Sequence, residues 1–229
     1  IGVRLVGSEM CIRDRYKGGD SMNIFNELSA KFNTDEPILI EDIEKMYPQR
    51  SRPWIDKAIK TLVDDKQLKR FSKGVYYIPR KTILGDSVLN PRKVITKKYI
   101  QNSQDIYGYL GGTSLLNSFG LTTQVPNVIT VISNNESTRG RKVEVGNQSV
   151  YLCKPPTKIT KSNFKTLQFC ELIRLIDLDK LDSIEMKNLE NYIKENNISL
   201  SSISKYCSVF PDSVSRKILG GPLIEKLAQ

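Results

Sequence analysis

Apolar residues between positions 23 and 79 recur at spacings that predict three helices followed by a hairpin. Asn23 to Phe32 has helical spacing and predicts a first helix. A second helix is expected from Ile38 to Met46. A third begins at Ser51 to Pro53, where Ser51 suits an N-cap and Pro53 suits the first turn. The third helix has one apolar stripe facing a core, made of Ile55, Ile59, Leu62 and Val63.

Two short strands are predicted directly after the third helix. Leu68 and Arg70 lie in the first, and Val75 to Ile78 form the second. The turn between them is Ser72-Lys73-Gly74, whose glycine tolerates a positive φ, and Pro79 ends the second strand. Two helices, a turn, a third helix and a hairpin follow one another in a winged helix-turn-helix. In helix-turn-helix proteins, the N-terminal residues of the recognition helix contact base edges in the major groove.

Positive charge is concentrated in the same segment. Between Lys45 and Lys81 there are eleven basic and three acidic residues. Such a segment favours DNA, because Lys and Arg that neutralise phosphates release counterions. A merely solvated basic face is the alternative, and the helix order with its hairpin argues against it. The predicted DNA-binding residues are Gln49, Arg50, Ser51, Arg52, Lys57, Lys60, Arg70 and Lys73.

A second domain is expected after a linker from Arg80 to Pro91. Its predicted strands form a small antiparallel sheet with a hairpin turn at Gly146-Asn147. These strands run from Asn127 to Ser133, from Lys142 to Val145 and from Ser149 to Cys153. From Thr160 onward, apolar stripes predict C-terminal helices. The expected fold class is therefore α+β: an N-terminal winged helix-turn-helix, then an α+β domain with a small antiparallel sheet and C-terminal helices.

Two features of the second domain allow a binding or a purely structural interpretation. Gly111-Gly112 could open a helix over a bound phosphate, but a tight start to a helix is the favoured interpretation. The polar loop from Asn134 to Lys142 carries Arg139, Arg141 and Lys142, which could contact phosphates. A solvated loop is favoured there.

The residue types exclude several kinds of chemistry. Histidine is absent from the chain, which excludes Cys/His zinc sites and His-based catalytic triads. The four cysteines are widely spaced with no Cys-x-x-Cys pair, so no metal site is expected. Asp177, Asp179 and Asp182 form a carboxylate cluster for which turn and capping roles are expected. We therefore predict a protein that is not an enzyme and needs no cofactor or metal.

Composition indicates the kind of partner and the cellular compartment to expect. The chain has 229 residues, net charge +10 and a pI near 9.4, which favours an anionic partner. The excess is uneven, because residues 170–229 carry eight basic and nine acidic residues and are not expected to bind nucleic acid. No apolar run approaches the length of a membrane span, so no membrane partner is expected. The widely spaced cysteines fit a reducing, cytoplasmic setting best.

Residues 1–21 are expected to be a non-native leader. The stretch VGSEMCIRDR, from Val6 to Arg15, resembles translated sequencing-adapter read-through, and Met22 is a sensible start. A signal peptide is the alternative, but four charged residues interrupt any apolar region: Glu9, Arg13, Asp14 and Arg15. The expected organisation is then a DNA-binding domain over residues 22–81 and an α+β domain over residues 82–229.

Three stretches resemble a known family. GVYYIPRKT (Gly74 to Thr82), FGLTTQVPNVITVISN (Phe119 to Asn134) and KPPTKITKSNFKTLQ (Lys154 to Gln168) are similar to AbiEi-type antitoxins of type IV toxin–antitoxin systems. The resemblance covers nearly all of the chain from Met22 to about Asp182. It implies an N-terminal winged helix that represses its own operon and a C-terminal antitoxin domain. The implied partners are double-stranded operator DNA and a nucleotidyltransferase-like toxin encoded nearby.

The chain departs from this family at one place. Relatives commonly have a glycine between the third helix and the hairpin, where this chain has Asp64-Asp65-Lys66-Gln67. Two other functions stay open: a ligand-responsive winged-helix transcription factor with no toxin, and an RNA- or nucleotide-processing enzyme that uses the basic second domain. An adjacent toxin gene would argue against the first, and metal-dependent turnover would support the second.

Overall fold

The computed structural model describes residues 19–138 and 140–227, which form a mixed α+β fold. The chain divides into two compact units, one up to Val94 and one from Ile95. The predicted domain boundary lies after Lys81, whereas residues 82–94 group with the first unit. Of the expected leader, residues 1–18 lie outside the described residues.

In its described part, the first unit begins with a helix and continues through two hairpins to a short helix. Helix α1 starts at Gly19, about one turn before the predicted start at Asn23. The elements are α1 (Gly19–Lys31), β1 (Ile38–Leu39), α2 (Ile40–Met46), α3 (Arg52–Asp64), β2 (Lys69–Ser72), β3 (Val75–Tyr77), β4 (Lys81–Thr82) and β5 (Gly85–Asp86). A short helix, α4 (Pro91–Ile95), follows and continues into a π-helical turn at Thr96–Ile100.

The first unit also contains a three-stranded antiparallel sheet, with strand order β1-β3-β2. The prediction of a helix from Ile38 is wrong for its first two residues, which form β1. The reason is pairing with a strand that is distant in sequence. Ile38 pairs with Tyr76 and Leu39 with Val75, so β3 satisfies the backbone hydrogen bonds of these two residues before α2 begins. The predicted hairpin of β2 and β3 is confirmed.

One apolar core holds the first unit together. Helix α3 buries the predicted stripe at Ile55, Ile59 and Leu62, and Ile38 and Leu28 are fully buried against it. Burying each such side chain contributes about 1.5–3 kcal/mol. The orientation of α3 is therefore fixed by its apolar face, and its opposite face stays in solvent.

Helix α3 ends in a defined hydrogen-bonded motif. The N–H of Gln67 donates to the carbonyl of Leu62 and the N–H of Lys66 to that of Val63, a Schellman arrangement. Lys66 then adopts φ +58°, in the left-handed region where glycine is favoured. A glycine would adopt this conformation without the strain that a Cβ imposes.

The second unit contains one sheet and a series of helices. Its strands are β6 (Gly108–Leu110), β7 (Val128–Ser133), β8 (Arg141–Val145) and β9 (Gln148–Cys153). Its helices are α5 (Gly112–Ser118), α6 (Phe164–Leu175), α7 (Ser183–Glu195), α8 (Leu200–Ser204), α9 (Asp212–Leu219) and α10 (Ile224–Leu227), with 3₁₀ turns at Leu178–Lys180 and Cys207–Val209.

The four strands are ordered β6-β7-β9-β8. The expected antiparallel hairpin of β8 and β9 is present, with Gly146 at φ +61° in its turn. Two features were not predicted. Strand β6 adds an antiparallel partner to β7, and β9 lies beside β7 in parallel, with Val131 opposite Leu152. The sheet is therefore mixed, because the β7–β9 pair is parallel, whereas an antiparallel sheet was predicted. After β7 the chain first forms the edge strand β8 and then returns as β9, which pairs with both.

Glycines allow close packing at the start of this sheet. A Cβ on Gly108 would lie 2.0 Å from the carbonyl oxygen of Tyr99. Gly111 donates to the carbonyl of Thr130, and Gly112 has φ +52° with Thr130 3.3 Å from where its Cβ would be. The structure thus supports a tight start to helix α5 at Gly111-Gly112, and α5 has only seven residues.

The C-terminal helices enclose the larger core. Apolar residues of α6 to α10 are buried in this core, including Leu167, Ile193 and Ile218. Asp182 caps α7 as expected, because its carboxylate accepts from the N–H groups of Ile184 and Glu185. Within residues 19–138 and 140–227, no cluster of three or more His, Cys, Asp or Glu could hold a metal ion. No helix in these ranges is both long and apolar enough to cross a membrane.

Candidate nucleic-acid interface

The eight predicted DNA-binding residues all lie in the first unit and all are exposed. Gln49 and Arg50 lie in the turn between α2 and α3, and Ser51 is the N-cap residue of α3. The others follow on α3 and the β2–β3 hairpin: Arg52, Lys57, Lys60, Arg70 and Lys73. Their surroundings divide them into groups with different roles.

Arg50 lies on an aromatic platform. Its guanidinium carbon is 4.5 Å from the centroid of the Trp54 ring, a cation–π distance. Trp54 meets Tyr47 edge to face with ring centroids 6.0 Å apart, and the Tyr47 hydroxyl donates to Glu27 of α1 at 2.6 Å. Burial and this hydrogen bond raise the pKa of Tyr47. Arg50 is therefore held by stacking while its hydrogen-bond donors keep no carboxylate partner among the described residues.

Arg52 has a different environment, although it is only two residues away. Its guanidinium forms ion pairs with Glu44 of α2 and with Asp56 one turn along α3, the latter at 3.2 Å. The hydrogen bond to Glu44, followed by that to Asp56, raises the pKa of Arg52. Two carboxylates thus already engage its Nε and one of its terminal nitrogens. Arg52 ties α3 to α2, and Arg50 is the better placed of the two to contact a base.

Lys57 and Lys60 present free charge on the outer face of α3. Both are exposed, and neither ammonium group has a hydrogen-bond or ion-pair partner in the described part of the chain. Free, flexible ammonium groups suit phosphate contacts, which position a protein on DNA without reading its sequence. Asp64 and Asp65 lie at the opposite end of α3, roughly 18 Å from Arg52 along the helix axis.

The β2–β3 hairpin presents Arg70 and Lys73. Lys73 is exposed at the turn, and Arg70 Nε bonds weakly to the carbonyl of Ser72 at 3.4 Å. Gly74 has φ +75°, and its carbonyl accepts from Ile40 at the start of α2 at 2.9 Å. This hydrogen bond holds the turn in place, so the backbone of Lys73 has a fixed position.

Sequence reasoning missed the residues that position the two arginines. The spacing of Arg50 to Trp54 and of Arg52 to Asp56 is four residues, which is a recognisable signal on a helix or its first turn. Glu44 and Glu27 gave no such signal, because each contacts a residue outside its own helix. Glu44 pairs with Arg52, and Glu27 accepts from Tyr47.

The basic loop of the second unit is organised around a buried carboxylate. Glu136 is 4% exposed and accepts from the N–H groups of Ser137 and Thr138 and from Arg141. The hydrogen bond of Arg141, followed by those of Thr138, lowers the pKa of Glu136 to about 2. Lys142 lies 3.7 Å from Glu144. Arg141 and Lys142 thus face carboxylates of their own unit, and Arg139 lies outside the described residues.

A known family model matches more than half of the chain. A model described as a family of unknown function (DUF6088) matches residues 38–200. The match begins at β1, includes α2, α3 and both hairpins of the first unit, and runs to the start of α8. No curated protein matches the chain.

Proposed function

We propose that this chain, which belongs to the DUF6088 family of unknown function, is an operator-binding antitoxin that represses its own operon. In this proposal the first unit is a winged helix-turn-helix. One observation carries it: the elements run α1-β1-α2-α3-β2-β3, with sheet order β1-β3-β2. This arrangement suits a winged helix, and the exposed cations lie at the start of α3 and on the hairpin that would be its wing.

The proposed binding mode assigns different work to different cations. The N-terminal turn of α3 enters the major groove, where the guanidinium of Arg50 donates to the two acceptors of a guanine. Gln49 and Ser51 flank it with polar side chains. Lys57, Lys60, Arg70 and Lys73 contact phosphates on either side. Arg52 holds α2 and α3 at the angle that this docking needs.

The antitoxin half of the proposal rests on the resemblance of residues 22–182 to AbiEi-type antitoxins. The second unit would neutralise a nucleotidyltransferase-like toxin encoded next to this gene, in the cytoplasm. No catalytic residues are assigned to it. The proposal therefore predicts two separable properties, repression through the first unit and neutralisation through the second.

Repression is tested with a reporter fused to the promoter upstream of this gene. The wild-type chain should lower reporter output, and Arg50→Ala should restore it. Arg216→Ala is the matched control, because Arg216 is an exposed arginine of helix α9 in the second unit. Repression that survives Arg50→Ala, or is lost equally in Arg216→Ala, would contradict the proposed DNA contact.

Neutralisation is tested by co-expression with the adjacent open reading frame. That neighbour should arrest growth when expressed alone, and both the wild type and Arg50→Ala should restore growth. A harmless neighbour would overturn the antitoxin assignment. Repression that responds to a small molecule would then favour a ligand-responsive transcription factor.

A further inference from the structure

The hairpin of β4 and β5 carries two large aliphatic residues at its tip. Lys81 pairs with Asp86 and Thr82 with Gly85, so Ile83 and Leu84 are the two turn residues. Both side chains are fully exposed, at 104% and 100%. Two-residue turns ordinarily use Asn, Asp or Gly. No residue in the described part of the chain covers these two side chains, which suits a contact with another molecule.

Hydrogen bonds and ion pairs hold the base of this hairpin in place. The Thr82 hydroxyl donates to the carbonyl of Gly85 at 2.6 Å, and Asp86 pairs with Lys81 at 2.7 Å and with Lys69 of β2 at 3.2 Å. Below them, the Tyr77 hydroxyl of β3 donates to the carbonyl of Ser87 at 3.1 Å. The hairpin is thereby fastened to β2 and β3, the two strands of the proposed wing.

The charge around this base identifies the kind of partner. Four cations, Lys69, Arg80, Lys81 and Lys93, surround it, and the two carboxylates paired with them, Asp86 and Asp35, leave an excess of two positive charges. Lys93 donates to the backbone carbonyl of Asp35. An apolar tip on a cationic base suits a polyanion with an apolar interior. DNA offers that combination, because aliphatic side chains can enter between base pairs from the minor groove while cations contact the phosphates.

We propose that Ile83 and Leu84 form an apolar wedge that enters the minor groove beside the wing and partly unstacks a base step. This inference rests on the proposed DNA-binding function. An anionic membrane also combines charge with an apolar interior. Two aliphatic side chains bury too little surface to hold a protein there, and the base is attached to the proposed wing.

The test uses the full chain and duplexes that tile the DNA upstream of its gene. Each adenine of the bound duplex is replaced in turn by 2-aminopurine, whose fluorescence rises on unstacking. The double variant Ile83→Ser with Leu84→Ser is compared with Ile184→Ser with Leu219→Ser, which removes an exposed isoleucine and an exposed leucine from the second unit.

The wild-type complex should show a fluorescence rise at one step. The tip variant should lose this rise and bind roughly ten-fold more weakly, because the apolar burial is gone. Its dependence on salt should match the wild type, since no charge is removed. The control variant should behave as the wild type in all three respects.

Each other outcome overturns a distinguishable claim. If the wild type binds but shows no fluorescence rise, or the tip variant binds equally well, the wedge is wrong and the DNA-binding function stands. If the wild type binds none of the duplexes, the DNA-binding function fails and the wedge fails with it. If the tip variant loses only binding to phosphatidylcholine–phosphatidylglycerol vesicles, or only self-association in sedimentation, the tip belongs to a lipid surface or to a second copy.

Discussion

Arg50 and Arg52 show how two identical side chains, two residues apart, acquire different roles. Stacking on Trp54 fixes Arg50 without using its hydrogen-bond donors, whereas Glu44 and Asp56 engage two of the three side-chain nitrogens of Arg52. A sequence alone assigns both arginines to DNA contact. The i, i+4 partners were within reach of sequence reasoning. The contact from Glu44 was not, because it depends on the packing of α2 against α3.

Lys66 provides a stability prediction at the residue scale. It holds φ +58° at the C-terminal end of α3, where a side chain costs about 1 kcal/mol relative to glycine. Lys66→Gly should therefore raise the Tm of the first unit by a few degrees. Lys66→Ala removes the same charge and keeps the Cβ, so it should give no such gain. Thermal unfolding of the three proteins checks this, and an equal rise in both variants would contradict it.

Glu136 provides a prediction about pH. Its pKa is lowered from 4.5 to about 2, mainly by Arg141, so its ionised form stabilises the fold above pH 4.5. That stabilisation is lost as the pH falls toward about 2. Glu136→Gln should lower the free energy of unfolding near neutral pH by about 1–3 kcal/mol. The gap between variant and wild type should then narrow across the acid window, as measured by urea unfolding. A gap independent of pH would contradict the assignment.

At the scale of elements, periodicity located most helices and the two hairpins that have local turn signals. It missed β1 and β6, each of two or three residues, because such strands exist only through pairing with β3 and β7. The parallel pairing of β7 with β9 was likewise invisible, since it depends on which neighbour fills the sheet and not on local pattern.

Gly108 tests the packing of β6. A Cβ at this residue would meet the carbonyl oxygens of Tyr99 and Ile132 at 2.0 and 2.9 Å, and both are backbone atoms that cannot rotate away. Gly108→Ala should destabilise the second unit by about 2–3 kcal/mol or more. Gly220→Ala is the control, because its nearest neighbour lies at 3.2 Å and its φ is negative. Chemical denaturation of the two variants should separate them clearly, and similar losses would argue against the β6 packing.

At the scale of the whole molecule, the sequence predicted two domains and an uneven charge. The boundary depends on contacts that no local signal reveals. The β4–β5 hairpin looks like a linker in sequence, yet Asp86 and Ser87 fasten it to the first unit. The function proposed for the second unit rests on the resemblance to AbiEi-type antitoxins, because no group of residues in its described part indicates a particular chemical activity.

Salt dependence follows from the assigned phosphate contacts. Affinity for operator DNA should fall linearly with the logarithm of salt concentration, by about 0.9 log units per phosphate contacted. Lys73→Ala should flatten this slope by about one contact and weaken binding to all sequences alike. Lys187→Ala, which removes an exposed lysine from α7, should leave the slope unchanged. A changed sequence preference in Lys73→Ala would contradict a phosphate role.

The central claim is that the start of α3 reads DNA. Its most direct test is fluorescence anisotropy of the full chain on duplexes that tile the DNA upstream of its gene. The wild type should prefer one duplex over scrambled sequence. Arg50→Ala should lose about 1–3 kcal/mol of that preference, and Arg216→Ala should lose none. Equal binding of wild type and Arg50→Ala, or no preference for any upstream duplex, would contradict the account.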